Sequence, residues 1–413
     1  MGQLTGLFLG AGASFELGMP LVWNLTAEIK ASLGRLNVHT LNDRWRAHGA
    51  GHPTEVIESL EKILAMPEVH YESVLGYLEL QYLRGGGRGF AQDYHGLYSW
   101  LIDTVSSALL LRHLRQVEFI EGGMKHYEGM VTLAEDNPPL WIFSLNHDVL
   151  VECIAAHHGI PLSSGFPGEI TLPRRNRAGR QVGLLHADVA TGEQIEKSAL
   201  SFFGIGARGI NLLKTHGALD IFAFRNGEDL MKIRPLAASV RGVVDALRVA
   251  NQELLYVDPA NGLIPFQPTN EIVYTDHDGQ AQFLRRSLMA GAFKFTDRYK
   301  QVLPKRLLSH LRSNLNHLAR LICVGYSFGD IHINQVLRDW IDFSDTRTIT
   351  IVSPAPEIPS FLAHVPLQTT VVAASATAYF EQLLKTPPPV SQKVERCFRA
   401  LTREAQGKAV GFA

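Results

Sequence analysis

Four short apolar segments of this chain each run directly into a turn of glycine and small polar residues, and this alternation constrains the fold most strongly. The segments predicted as buried strands are 4–9, 140–144, 210–214 and 321–324. Stretches with helical periodicity separate them, which is typical of a parallel α/β sheet. In such sheets ligands bind outside the carboxyl ends of the strands. The turns predicted at those ends are 10–14, 144–148, 215–220 and 325–330.

The chain is predicted to contain one α/β domain interrupted by insertions. Its 413 residues, 46% of them hydrophobic, suffice for a sizeable core. The predicted parts are an α/β domain of residues 1–23 and 136–355, a helical insertion at 24–135 and a C-terminal extension at 356–413. Within the α/β domain, 159–210 and 220–300 are predicted as irregular insertions, the second containing a helix at 236–250.

Charge and cysteine content exclude several classes of protein. With 39 basic and 40 acidic residues the net charge is −1, so no global basic field favours direct nucleic-acid binding. The three cysteines include no CxxC pair, which excludes a four-cysteine zinc site within the chain, and no metal site is expected. Sparse cysteines, with neither a signal peptide nor an apolar run of about 20 residues, lead us to expect a cytoplasmic protein without a membrane span.

The turn at 10–14 (GAGAS) suits a phosphate group. Glycines let the backbone approach a ligand closely, and the amides at the start of a helix attract an anion. We predict a helix that starts in this turn and ends near residues 18–20. The candidate ligand-binding residues are Gly10, Ala11, Gly12 and Ser14. Taken alone, the turn is equally consistent with a purely structural role.

Asn146 and Asp148 follow the second predicted strand. A neutral amide at a strand end can orient a water or a ribose hydroxyl without itself acting as a base. The alternative is that one of these side chains caps the next helix. His216 follows the third strand and titrates near neutral pH, as a general base must. It is also one of 17 histidines, so a hydrogen-bonded loop histidine is the plain alternative.

The turn at 325–330 (GYSFGD) contains a GxSxG pattern between a strand and a helix. This is the context of the nucleophile in α/β-hydrolases, with Ser327 as nucleophile and Glu357 and His364 as partners downstream. No HGGG-type oxyanion loop is present, however. The hydrolase hypothesis also leaves the turn at 10–14 and the His216 turn without a role.

Together and in this order, the four turns resemble those of the sirtuin-like family. The turn at 10–14 resembles its GAGxS loop, and 144–148 (SLNHD) resembles its TxNxD turn. The segment 214–220 (KTHGALD) resembles the KxHGSLD turn that holds the catalytic histidine, and 325–330 resembles a late GxS turn on the nucleotide. The match extends over residues 4–355 as separate segments.

The resemblance implies a Rossmann-type sheet that binds NAD, with Asn146, His216 and Asp148 as catalytic residues. It implies further nucleotide contacts in the second half of the chain. These candidates are Gly325, Ser327, Asp330 and Ser353, the last standing where sirtuins often have a ribose-contacting Asn.

Two departures point to a particular branch of the family. Deacylase sirtuins carry a four-cysteine zinc module, which this chain cannot form, and they follow GxP with Asp-Phe-Arg, where this chain has Leu21-Val22-Trp23. Both fit the bacterial branch linked to anti-phage defence, and the segment 18–25 resembles it too. The resemblance therefore implies an NAD hydrolase, a homo-oligomer and a HerA-type ATPase as partner, which we expect on a separate chain because the C-terminal extension is short.

Two other functions remain open. An NAD-dependent protein deacylase would form O-acyl-ADP-ribose only with an acylated peptide, and a non-catalytic NAD or ADP-ribose sensor would bind its ligand intact.

Overall fold

The computed structural model describes residues 4–84, 89–176, 178–254, 270–288 and 305–409. The strands within these ranges are β1 (Thr5–Leu9), β2 (Leu140–Ser144), β3 (Leu162–Ser163), β4 (Gly168–Arg175), β5 (Gln181–Ala190), β6 (Ile210–Lys214), β7 (Ile221–Phe224), β8 (Asp229–Ile233), β9 (Glu271–Thr275), β10 (Ala281–Arg286), β11 (Arg320–Val324), β12 (Thr348–Ser353) and β13 (Thr369–Ala373). The helices are α1 (Val22–Leu36), α2 (Val38–Ala47), α3 (Thr54–Leu64), α4 (Tyr71–Arg84), α5 (Ala91–Arg115), α6 (Val117–Gly123), α7 (Glu128–Asp136), α8 (Leu150–His158), α9 (Gly192–Glu196), α10 (Val240–Gln252), α11 (Arg306–Leu315), α12 (Ile331–Asp342), α13 (Ala376–Gln382) and α14 (Val390–Ala409).

Seven strands form a parallel sheet in the order β13-β12-β11-β1-β2-β6-β3. The predicted parallel α/β class is therefore confirmed. Leu7 and Leu9 of β1 join one hydrophobic core and Phe8 joins the core on the other face of the sheet. Because both faces are covered, the central strands are continuous apolar runs. The turns after β1, β2, β6 and β11 lie at the carboxyl edge of the sheet.

Helices α1 to α7 fill the chain between β1 and β2, which confirms the predicted large helical insertion. Their apolar residues, such as Leu75, Leu101 and Val105, belong to the same core as Leu7 and Leu9. This region therefore packs on the sheet, although its limits as a separate domain remain a prediction.

The second sheet corrects the prediction of irregular insertions at 159–210 and 220–300. Six strands pair there in the order β4-β5-β8-β7-β10-β9, all antiparallel. The short strands β7 and β8 are buried along their whole length, and β8 carries the buried charges Asp229 and Lys232, so no alternation of apolar and polar residues marks them. Helix α10 covers this sheet through Ala246 and Val249.

No helix within the described residues is long and apolar enough to cross a membrane.

Candidate functional site

The turn after β1 is more tightly wound than predicted. In place of a helix that starts at residue 10, two 3-10 turns follow, Ala11–Ala13 and Phe15–Leu17, and α1 begins only at Val22. The amide of Gly10 donates to Val324 O and that of Gly12 donates to Gly325 O, at 3.1 and 2.9 Å. These amides are therefore used within the protein, and binding of a phosphate by Gly10, Ala11, Gly12 and Ser14 remains a prediction.

Gly10 and Gly12 allow close contact with the turn after β11. A Cβ on Gly10 would lie 2.6 Å from Gly325 O, and one on Gly12 would lie 2.7 Å from Gly325 Cα. Gly325 itself has a φ of +63° and would bring a Cβ within 2.5 Å of Gly12 Cα. The glycines on both sides are therefore required by the packing of one turn on the other.

The turn after β2 is hydrogen-bonded to the turn after β1. Asn146 Nδ2 donates to Gly10 O at 2.9 Å and lies 3.4 Å from Ser14 Oγ. Ser14 Oγ donates to Asp148 Oδ2 at 2.6 Å. Asp148 Oδ1 accepts the amide of Leu150 at 3.0 Å, so this carboxylate also holds the start of α8. Asn146, Asp148 and Ser14 are all buried.

His216 lies in the turn after β6 and faces the turn after β11. Its Nε2 is 3.3 Å from Asp330 Oδ2, and both side chains are largely buried. Asp330 Oδ1 accepts the amides of His332 and Ile333. The same carboxylate therefore caps α12 and pairs with the His216 imidazole.

The next residue, Gly217, has a φ of +74°, and a Cβ there would collide with Ser287 O. Ser287, at the end of the antiparallel sheet, accepts the amide of Ala218 on its Oγ at 3.2 Å. The antiparallel sheet therefore supports the His216 turn directly.

The four turns form a closed ring of contacts at one edge of the sheet. Residues 10–14 contact Gly325 on one side and Asn146 and Asp148 on the other. Two hydrogen bonds join the turn after β2 to the His216 turn. His147 Nδ1 donates to Gly217 O at 3.4 Å, and the amide of Leu219 donates to His147 O at 2.9 Å. The His216–Asp330 pair closes the ring.

Two of the predicted nucleotide contacts lie outside this ring of hydrogen bonds. Ser327 is exposed in the turn after β11, and Ser353 is half-buried at the end of β12. The structure does not favour Ser327 as a hydrolase nucleophile, since His364 pairs with Asp342 at 2.6 Å and Glu357 is exposed. No histidine among the described residues donates to Ser327 or accepts from it.

Sequence reasoning missed two buried side chains, His113 and Tyr127, that hydrogen-bond to the backbone of the turn at 10–14 and of the start of α8. His113 of α5 donates from Nδ1 to Leu109 O and accepts the amide of Val149 on Nε2, at 2.8 and 3.4 Å. Burial lowers the pKa of His113, although the Asp148 carboxylate opposes the shift. The His113 imidazole is therefore neutral and can accept a hydrogen bond on Nε2. Tyr127 donates from its hydroxyl to Ala13 O at 2.7 Å. Both lie in the helical insertion, where no local motif marks them.

The C-terminal helices also reach the first turn. Arg403 of α14 is 4% exposed and donates to Phe15 O and Met19 O at 3.0 and 3.1 Å. The carboxylate of Glu16 accepts the Ser375 hydroxyl and the Thr377 amide at the start of α13, at 3.0 and 2.9 Å. The C-terminal extension is therefore packed against the segment that follows the glycine turn.

Beneath the ring lie four buried charges on different elements. Glu152 of α8 contacts Lys214 of β6 at 2.8 Å and Lys232 of β8 at 2.5 Å, and Lys232 also contacts Asp220. Burial would raise the pKa of Glu152, but the two ammonium groups outweigh it and hold that pKa at about 2.

Glu152 should therefore stabilise the fold more at neutral than at acid pH. Its folded pKa of about 2 lies below the ordinary value of 4.5, so its contribution is complete above pH 4.5 and is lost as the pH falls toward 2. The shift corresponds to about 3 kcal/mol. In urea unfolding, the stability difference between wild type and Glu152→Gln should shrink by about this amount between pH 5 and pH 2. A difference that is constant with pH would contradict the ionised state of Glu152.

Among the described residues no group of three or more His, Cys, Asp or Glu side chains is placed to hold a metal ion. The adjacent histidines 157 and 158 pack edge to face, with ring centroids 4.8 Å apart.

No protein-family model and no curated protein matches this chain. Among solved structures it is similar to Sir2 homologues. One is a mutant in complex with 2'-O-acetyl ADP ribose, with 11% identity over 92% of this chain and 90% of that one and a TM-score of 0.39. Another is an NAD complex, with 11% identity over 92% and 87% of the chains and a TM-score of 0.39. A third is an ADP ribose complex of a mutant, with 12% identity over 97% and 93% and a TM-score of 0.38.

Proposed function

We propose that this chain is an NAD glycohydrolase that cleaves the bond between nicotinamide and ribose and releases nicotinamide and ADP-ribose. The observation that carries the proposal is the closed ring of four turns at the carboxyl edge of the parallel sheet. That edge is where ligands bind in open α/β sheets. The ring joins a buried amide, Asn146, a buried imidazole, His216, and a buried carboxylate, Asp148, which are the three groups that the motif resemblance assigns to catalysis.

Cleavage of the nicotinamide–ribose bond requires the protein to position the NAD and a water molecule and to accept a proton. Nicotinamide is a neutral leaving group from a cationic ring, so the transition state is an oxocarbenium-like ribose that water attacks. Asn146 orients the water or a ribose hydroxyl, and His216 accepts a proton from one of them. Asp330 orients the imidazole, and Asp148 fixes Ser14 and the start of α8. The turn at 10–14 takes the pyrophosphate, and Gly325, Ser327 and Ser353 take the adenosine side, as the resemblance implies.

The test is a product assay. Purified protein is incubated with NAD while nicotinamide and ADP-ribose are quantified by liquid chromatography, and we expect the two in equal amounts. Asn146→Ala should lower the rate by about 10²- to 10³-fold, because it removes a group held beside the reacting ribose. Asn314→Ala is the control, since Asn314 is partly exposed on α11 and its side chain makes no hydrogen bond within the described part of the chain.

Each alternative predicts a different result in the same assay. Formation of O-acyl-ADP-ribose only after an acyl-lysine peptide is added would replace the proposal with a deacylase. Binding of NAD that stays intact would replace it with a sensor. Unchanged NAD loss in Asn146→Ala would remove the assigned site.

We further propose that the protein is the NAD-depleting effector of a bacterial anti-phage defence complex in the cytoplasm. The support is the resemblance to the zinc-free bacterial branch of the sirtuin-like family, whose members often work with a partner, commonly a HerA-type ATPase. Co-purification of such an ATPase with the tagged protein, and loss of phage resistance in Asn146→Ala cells, are the expected results. A monomeric protein that protects cells without an ATPase would contradict the partnership.

A further inference from the structure

The four buried charges beneath the ring of turns connect both sheets to the candidate site. Glu152 and Lys214 belong to the parallel α/β part, and Lys232 belongs to β8 of the antiparallel sheet. Asp220 lies in the turn after β6. The side chains are between 2% and 7% exposed, and the two positive charges balance the two negative ones.

Such a network is a poor device for stability alone. Taking charged groups out of water is costly, and apolar side chains of similar volume often stabilise a core at least as well. What four fixed charges supply and apolar groups do not is directional placement of hydrogen-bonding groups.

Lys214 connects the network to the candidate site, because its ammonium group also donates to the backbone carbonyl of Asp148 at 2.7 Å. Asp148 is the residue whose carboxylate holds Ser14 on one side and Leu150 on the other. Lys214 also stands two residues before His216, and Asp220 stands four residues after it. The network thus holds the Asn146–Asp148 turn and brackets the His216 turn.

Lys232 influences the position of the Lys214 ammonium group, because both side chains pair with Glu152. Glu152 accepts a hydrogen bond from Lys232 on Oε1 at 2.5 Å and one from Lys214 on Oε2 at 3.1 Å, and Lys214 Nζ also lies 2.8 Å from Oε1. Lys232 also pairs with Asp220, and Asp220 Oδ1 lies 3.9 Å from Lys214. Without Lys232, Glu152 would keep Lys214 as its one ammonium partner in the network, and Lys214 would be drawn from the Asp148 carbonyl toward Glu152.

We propose that Lys232 is a positioning residue for NAD cleavage, acting through Glu152 and Lys214 on the Asn146–Asp148 turn, an inference that rests on the function proposed above. Lys232 touches no reacting atom. The antiparallel sheet thereby supports the candidate site at two places. Lys232 acts through the buried charges, and Ser287 contacts the His216 turn.

The variant that tests this is Lys232→Met combined with Asp220→Asn. Lys232→Met alone leaves an uncompensated buried carboxylate and is expected to fold poorly. The double variant removes one charge of each sign and keeps the Lys214–Glu152 pair. The matched control is Arg234→Ala with Asp188→Ala, which removes an ion pair of the same antiparallel sheet that is about a third exposed.

Two readouts separate positioning from simple stability. We expect kcat for NAD cleavage in the folded double variant to fall by about 10- to 100-fold, while KM changes little, because the misplacement affects the transition state more than NAD binding. Amide hydrogen exchange in residues 145–150 should rise by about tenfold. The control should change neither. Wild-type kcat in the folded double variant would overturn the proposal.

The exchange readout needs no turnover, so the two hypotheses fail separately. If the wild type does not cleave NAD, the proposed function fails, and faster exchange at 145–150 in the double variant alone still shows that Lys232 positions this turn. Unchanged exchange would overturn the positioning role whatever the activity.

Discussion

Replacement of His216 by alanine is expected to lower kcat for NAD cleavage by about 10²- to 10⁴-fold. The imidazole is oriented by a carboxylate, since His216 Nε2 lies 3.3 Å from Asp330 Oδ2, and histidine is the side chain type best suited to proton transfer near neutral pH. Its loss removes the acceptor for the ribose or water proton. Asp330 should stay in place, because its Oδ1 still accepts the two amides at the start of α12.

The measurement is single-turnover NAD cleavage, with circular dichroism to show that the variant is folded. His186→Ala is the control, since His186 is an exposed histidine on the antiparallel sheet and should leave the rate unchanged. A rate for His216→Ala within about threefold of wild type would exclude proton transfer by this residue. The reaction would then rest on positioning alone.

Much of the parallel sheet follows from local sequence. The bounds predicted for 140–144 and 210–214 are those of β2 and β6, because each is an apolar run buried on both faces and ended by a polar turn. The edge strand β13 was not predicted, since most of Thr369–Ala373 is exposed and carries no such run. Burial on both faces is the signal that sequence reasoning can use, and an edge strand lacks it.

The parts of the site that were missed depend on contacts between distant residues. The motifs placed Asn146, Asp148 and His216 correctly at strand ends, yet no local pattern indicates that Gly12 packs on Gly325 or that His113 accepts the amide of Val149. In place of the predicted helix at residue 10 the chain forms 3-10 turns, and the amides of Gly10 and Gly12 bond to Val324 O and Gly325 O, which are distant in sequence.

Replacement of Gly325 by alanine is expected to lower the free energy of unfolding by about 3–5 kcal/mol and to abolish NAD cleavage. The φ of +63° strains any L side chain, at a cost of about 1–2 kcal/mol. The larger part comes from overlap, because the new Cβ would lie within 2.5 Å of Gly12 Cα and close to the Ala13 amide, all of it backbone that cannot rotate away. The turn at 10–14 must then move, and with it the carbonyl of Gly10 that holds Asn146.

Gly159→Ala separates the two contributions. Gly159 has the same φ of +63°, at the end of α8, but no atom lies within 4 Å of the place its Cβ would take. This variant should lose only the strain, about 1–2 kcal/mol in urea unfolding, and keep wild-type NAD cleavage. Equal losses in the two variants would mean that the turn at 10–14 relaxes around the new methyl group at little cost. Because the ring of turns closes through the contact between Gly12 and Gly325, a larger loss at Gly325 that coincides with loss of activity would tie the packing of these two turns to catalysis.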